Sequence, residues 1–222
     1  MKKKIYNNII QRELYLFFLI DNSGSMYGER IDAVNSVMKK MINRILEIQK
    51  NSYDVIIKIA VLTFSNNAKW IYEEPKKLEN FKWNDIVIEG CTNLSDAYDS
   101  LSKFLKKKKE GGQMPNDEIV EPIIILISDG LPTSNCWEKH LNELKKNNLF
   151  ESALKYAFAI GIDIDETMYV LNKFTGSSKA VIRLFSAENL NNLITTIIIN
   201  ACKTKISNIL LNNSVAIKNK LL

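Results

Sequence analysis

The sequence predicts an α/β fold: a three-layer, doubly wound, mostly parallel central sheet with helices on both faces. Three observations carry this. Short apolar runs alternate along the chain with longer stretches whose apolar residues recur every three or four positions, the mark of strands interleaved with amphipathic helices. Residues 14–20 and 123–127 are apolar at every position rather than at every second one, as strands covered on both faces are. The 222 residues, 46% of them hydrophobic, suffice for one full core.

The elements follow in order. Residues 14–20 read as a central strand. Residues 29–49 have helical spacing, with Ile31, Val34, Val37, Met38, Met41, Ile45 and Ile48 on one side. Residues 55–64, rich in Ile and Val, read as a strand, and 68–72 as its hairpin partner across a Ser65-Asn66-Asn67 turn. The stretch 73–89 is irregular. A helix over 94–105 places Leu94, Ala97, Leu101 and Leu105 on one face. Residues 120–127 and 154–162 read as strands, 137–146 and 165–174 as helices, 180–185 as a short edge strand and 187–201 as a final helix. The chain thus divides into a segment 1–12, one domain 13–201 and an extension 202–222. In the extension, Ile206, Ile209, Leu210, Val215 and Ile217 sit among asparagines and lysines. It reads as a helical continuation packing back on the domain; a docking segment for a partner or second copy is the alternative.

The candidate chemistry lies where the first strand ends, at Asp21-Asn22-Ser23-Gly24-Ser25. One carboxylate and two hydroxyls are hard ligands, suited to Mg²⁺, Mn²⁺ or Ca²⁺ rather than zinc or copper. Taken alone, the pattern equally describes a hydrogen-bonded turn capping the next helix. Two further segments complete an oxygen-rich set: Gly90-Cys91-Thr92 before a helix, and Ser128-Asp129-Gly130 after a buried strand. Asp21, Ser23, Ser25, Thr92 and Asp129 are therefore the candidate metal residues, with Mg²⁺ the first choice and Mn²⁺ or Ca²⁺ the alternatives. Two carboxylates barely balance a divalent charge, so such a cation would take one more anionic oxygen, such as an Asp or Glu of a partner protein. In open α/β sheets, ligands sit beyond the carboxyl ends of strands at a topological switch point, which is where Asp21 and Asp129 fall.

These three segments, in this order, resemble the metal-ion-dependent adhesion site of von Willebrand factor A (vWA) domains over roughly residues 13–200. The resemblance implies a Rossmann-like fold and a non-enzymatic module that docks an acidic side chain through a bound cation. Residues 19–35, Ser128-Asp129-Gly130-Leu131-Pro132-Thr133 with Trp137, and Phe158-Ala159-Ile160-Gly161 look like the bacterial TerY-type branch of tellurium-resistance and stress-response systems. That branch implies a scaffold beside a kinase or phosphatase of the same system. The lysine-rich segment 106–118 and the tail beyond Ala201 depart from it.

Other chemistries are disfavoured. An Mg²⁺-dependent phosphatase of the haloacid dehalogenase type, using Asp21, needs a second acid two residues later, where Ser23 stands. The sequence around Ser25 is not the G-x-S-x-G of a serine hydrolase, and no nucleotide-binding P-loop is present. His140, the one histidine, sits in a polar helix and reads as a solvated surface residue. No catalytic residues are assigned. The net charge is +5 and Lys106 to Lys109 form a run, but aromatic residues do not interleave it. A solvated helix end and loop is the preferred reading over a nucleic-acid patch. No apolar run reaches the roughly 20 residues of a membrane span. Residues 2–20 lack a small-x-small cleavage site, and Cys91, Cys136 and Cys202 are odd in number and widely spaced. These features point to the cytoplasm. Cys91, beside Thr92, is a minor candidate for a redox sensor.

Overall fold

The computed structural model describes residues 11–50, 55–117, 119–161, 165–184 and 187–220. The central strand β1 (Arg12–Asp21) is followed by α1 (Glu29–Lys50), β2 (Val55–Phe64) and β3 (Ala68–Trp70). A two-residue β4 (Lys76–Lys77), α2 (Leu94–Phe104), β5 (Ile123–Ser128), α3 (Trp137–Lys145) and the short α4 (Asn148–Ser152) come next. The chain closes with β6 (Leu154–Ile160), α5 (Asp165–Thr175), β7 (Val181–Leu184) and α6 (Ala187–Lys220). The sheet order is β3-β2-β1-β5-β6-β7, with β4 paired to β2. The pairs β1–β2, β1–β5, β5–β6 and β6–β7 are parallel; β3 and β4 run antiparallel to β2. This is the expected three-layer, mostly parallel architecture.

Successive side chains of a strand point to opposite faces, and β1 shows why every one of its positions from 14 to 20 is apolar. Leu14, Leu16, Phe18 and Ile20 face α1 and α6, in a core with Val34, Val37, Met38 and Met41. Tyr15, Phe17 and Leu19 face the other layer, with Leu101 and Phe104 of α2, Leu141 of α3 and Phe174 of α5. All seven are at most 2% exposed. Each such side chain contributes about 1.5–3 kcal/mol by leaving water.

Several elements differ in extent from the sequence reading, and the short α4 has no counterpart in it. β5 begins at Ile123 rather than at 120, because Pro122 has no N–H for a ladder; its carbonyl instead accepts from the Leu154 amide at 2.9 Å. The irregular stretch holds β4, whose Lys76 and Lys77 pair with Ile59 and Lys58. α6 runs on past residue 201 as one helix to Lys220. Ile194, Ile198, Ala201, Cys202, Ile206 and Ile209 are buried in the α1 layer at helical spacing, as the packed-back continuation requires. The lysine segment is a loop whose Lys106, Lys108 and Lys109 are exposed, tied down by the fully buried Met114 and by Asn116, which accepts from the Lys109 amide at 3.0 Å.

The strand order places the switch point between β1 and β5. From β1 the chain steps outward to β2, then crosses back over β1 through α2 to reach β5. The carboxyl ends of β1 and β5 therefore diverge into separate loops on one edge of the sheet, the crevice predicted for a ligand.

Candidate metal centre

Three loops meet at that crevice, and backbone hydrogen bonds fasten them together. The Asn22 amide donates to the Phe64 carbonyl at 3.0 Å, and the Asn22 carbonyl accepts from the Glu89 amide at 2.7 Å. The Gly24 amide donates to the Gly90 carbonyl at 2.9 Å, and Thr133 donates to the Thr92 carbonyl from both its amide (2.9 Å) and its hydroxyl (3.0 Å). The second loop is anchored from β2: Asn66 accepts from the Cys91 amide at 2.9 Å, and Asn93 caps α2 by accepting from the Asp96 amide at 3.2 Å. Gly90 has φ +46°, and a Cβ there would fall 2.2 Å from the Asn66 side chain. Only glycine allows that approach.

Within this frame the predicted oxygen ligands come together. The Ser23 and Ser25 hydroxyls are 3.1 Å apart, and the Ser25 hydroxyl donates to Asp129 Oδ1 at 2.7 Å. A Cβ placed on Gly130 would stand 3.7 Å from both Ser25 Oγ and Thr92 Oγ1, so the first and second loops bring their hydroxyls to the same point of the third. Asp21 lies deeper, with no exposed surface. Its Oδ1 accepts from the Ser23 amide at 2.9 Å and its Oδ2 from the Ser128 hydroxyl at 2.6 Å. Burial pushes its carboxyl up to about 6; the hydrogen bonds from Ser128 and Ser23 oppose that rise, and the Asp129 charge adds to it.

Two residues of the centre carried no role in the sequence reading. Ser128 orients Asp21; its position beside Asp129 was its only signal. Arg30, one residue into α1, donates to Asp129 Oδ2 and to the Ser25 carbonyl, the latter at 3.0 Å. It lies within the quoted 19–35 segment, but nothing in spacing or composition aims a helix-start arginine at a residue 99 positions later. His140 is paired with Asp99 of α2, Nδ1 to Oδ1 at 2.7 Å. Cys91 and Cys136 are exposed and Cys202 buried; all three are free thiols.

The donor chemistry fits a hard divalent cation. Hydroxyls and carboxylates converge, with no thiolate or imidazole among the five. Among the described residues, no group of three or more His, Cys, Asp and Glu side chains is arranged to hold a metal; this centre has only two acids and is built mainly from hydroxyls.

The von Willebrand factor type A domain family matches residues 16–131, more than half of the chain and a span that includes all five predicted ligands. The chain belongs to this family. Over 216 residues the vWA chain is 27% identical to the thrombospondin-related anonymous protein of Plasmodium falciparum, covering 86% of this chain and 36% of that protein. The chain thus spans about a third of that relative's length. Among solved structures it superposes on the pilus adhesin SpaC of Lactobacillus rhamnosus GG with a TM-score of 0.66 at 15% identity, covering 89% of this chain and 30% of that one. It also superposes on proximal thread matrix protein 1 from the mussel byssus, in a form with a zinc-occupied MIDAS (metal-ion-dependent adhesion site) motif. That match has a TM-score of 0.58 at 16% identity, covering 87% of this chain and 46% of that one. Both likenesses show the shared fold.

Proposed function

We propose that this vWA domain is a protein-binding module whose centre holds a divalent cation and docks an Asp or Glu side chain of a partner. The observation that carries the reading is the convergence of Ser23, Ser25, Thr92 and Asp129 oxygens at the β1/β5 switch point. Ser23, Ser25 and Thr92 would ligate as neutral oxygens, while Asp21 and Asp129 supply negative charge directly or through water. A bound cation would supply the positive pole that a partner carboxylate completes. Mg²⁺ is the first candidate, with Mn²⁺ and Ca²⁺ next. The zinc in the mussel protein's motif supports divalent occupancy of such sites and adds Zn²⁺ to the metals to be tried.

The reading is non-enzymatic. A phosphatase nucleophile must meet phosphorus, yet Asp21 is fully buried with both oxygens already accepting hydrogen bonds. The setting in bacterial stress or tellurite-resistance signalling, with a kinase or phosphatase partner, rests only on the likeness of residues 19–35, 128–133 with Trp137, and 158–161. Among the described residues no helix is long and apolar enough to cross a membrane, and a cytoplasmic location is part of the proposal.

Thermal melts with Mg²⁺, Mn²⁺, Ca²⁺ and Zn²⁺ test the centre, since a ligand of the native state raises Tm by mass action. At 100 times Kd the gain is about 2.7 kcal/mol. Ser25→Ala, which removes one hydroxyl of the set and leaves the core intact, should still melt cooperatively in chelator, at most about 1–2 kcal/mol below the wild type for the lost bond to Asp129, and lose most of the metal-dependent rise. An equal rise in both proteins would place the cation elsewhere.

A further inference from the structure

We infer that Arg30 is a resident counter-cation of this centre, which makes cation binding depend on an accompanying carboxylate; the inference rests on the metal-site reading above. Arg30 is held from two sides. Its guanidinium donates to Asp129 and to the Ser25 carbonyl. The same group lies over Gly161, at the end of β6, where a Cβ would stand 2.9 Å from Nε, 3.1 Å from Nη2 and 3.2 Å from Cζ. Gly161 has φ +68°, so both its backbone and the arginine above it call for glycine. The Gly161 amide donates to the Leu184 carbonyl at 2.7 Å, which fixes this seat to β7. The arginine is therefore a built part of the centre rather than a surface side chain that touches it.

The charges decide what it does there. Asp21 and Asp129 together match one divalent cation. Arg30 adds a third positive charge, so the loaded centre carries an excess of one. Two effects follow from Coulomb's law. Arg30 shares Asp129 with the cation and repels it, which weakens binding of the cation alone. The excess charge then favours an anionic oxygen over a neutral one, and the guanidinium fork matches the two oxygens of a carboxylate. The Asp129 side chain is fully buried while the Arg30 side chain is 38% exposed, so the arginine's charge remains in contact with solvent. The partner chemistry this selects is an Asp or Glu carboxylate over an Asn or Gln amide.

Mn²⁺ titration of the full chain by calorimetry tests this, in chloride and then in acetate at equal ionic strength and equal free Mn²⁺, for wild type, Arg30→Gln and Arg30→Lys. The wild type should bind Mn²⁺ several-fold more tightly with acetate. Arg30→Gln should bind Mn²⁺ alone about five- to tenfold more tightly than wild type, with its acetate effect cut to less than about twofold. Arg30→Lys keeps the charge and should track the wild type for Mn²⁺ alone, with an acetate effect at or below that of the wild type because the fork is gone, which separates charge from fold damage. Affinity for Mn²⁺ alone that is equal or weaker in Arg30→Gln, with Arg30→Lys normal, would overturn the inference and leave the metal reading standing. No Mn²⁺ binding by any of the three proteins, with or without acetate, would overturn both.

Discussion

At the scale of the residue, Asp21 is the costliest group in the centre and the most informative. It stands fully buried with its carboxyl raised from the ordinary 3.8 to about 6. The folded state therefore holds this proton more tightly than the unfolded chain does. Stability contributed by the protonated acid is present below about pH 3.8 and falls as pH rises through about 6, by roughly 3 kcal/mol for a two-unit shift. Asn at this position carries no charge, and Ser128 can turn its hydroxyl to accept from the new amide. In chelator, Asp21→Asn should be more stable than wild type at pH 7.5 by about 1–3 kcal/mol, with the difference vanishing towards pH 4. Adding the divalent cation should reverse the order at pH 7.5. Urea midpoints at the two pH values check this; a wild type that is the more stable protein at pH 7.5 in chelator would mean that Asp21 is stabilised as an anion by its neighbours alone. A buried acid that costs stability until a cation meets it is the pattern expected of a binding residue rather than a structural one.

At the scale of the element, α6 separates two explanations for the residues beyond 201. Ile206 and Ile209 are each 4% exposed, in the same core as Met38, Met41 and Ile45 of α1. Ile206→Ala should cost about 2–4 kcal/mol, whereas Ser207→Ala, one residue on and exposed, should cost less than about 0.5 kcal/mol. An unchanged urea midpoint in Ile206→Ala would instead favour a segment that docks elsewhere. The helix illustrates what was and was not legible in the sequence. β1 and β5 were legible because seven and five consecutive apolar residues, too short for a buried helix and followed by Asp-Asn-Ser-Gly and Ser-Asp-Gly, read as strands covered on both faces. α1 was legible because its stripe from Ile31 to Ile48 keeps one period throughout. The run of α6 past residue 201 was legible only as the preferred of two readings, since the stripe of Ile194, Ile198, Cys202, Ile206 and Ile209 is interleaved with polar residues, and its partner face on α1 lies far away in sequence. β4 was equally hidden: two lysines carry no strand signal, and only register against Ile59 and Lys58 makes them pair. The same distinction runs through the centre. Asp21, Ser23 and Ser25 are neighbours in sequence and form a visible motif, whereas the Arg30–Asp129 pair arises from tertiary geometry alone.

At the scale of the molecule, the two cores are not independent. Adjacent residues of β1 belong alternately to the α1/α6 layer and to the α2/α3/α5 layer, so losing the sheet exposes both. The three loops of the centre are in turn fastened to the ends of β1, β2 and β5, the middle of that sheet. A cation held by these loops should thus stabilise the whole domain rather than one corner of it. The tryptophans can report on this: Trp83 packs against the first core, and Trp70 and Trp137 belong to the second. Single-tryptophan variants retaining Trp83 or Trp137, unfolded in urea, should give coincident transitions by fluorescence and by far-UV circular dichroism. Saturating Mg²⁺ or Mn²⁺ should move every transition by the same increment, with an unchanged slope. Transitions that separate on adding metal would mean that the loops bind the cation while one layer unfolds without them. The centre would then be a local clamp, and cation and partner could come and go with no effect on the domain that carries them.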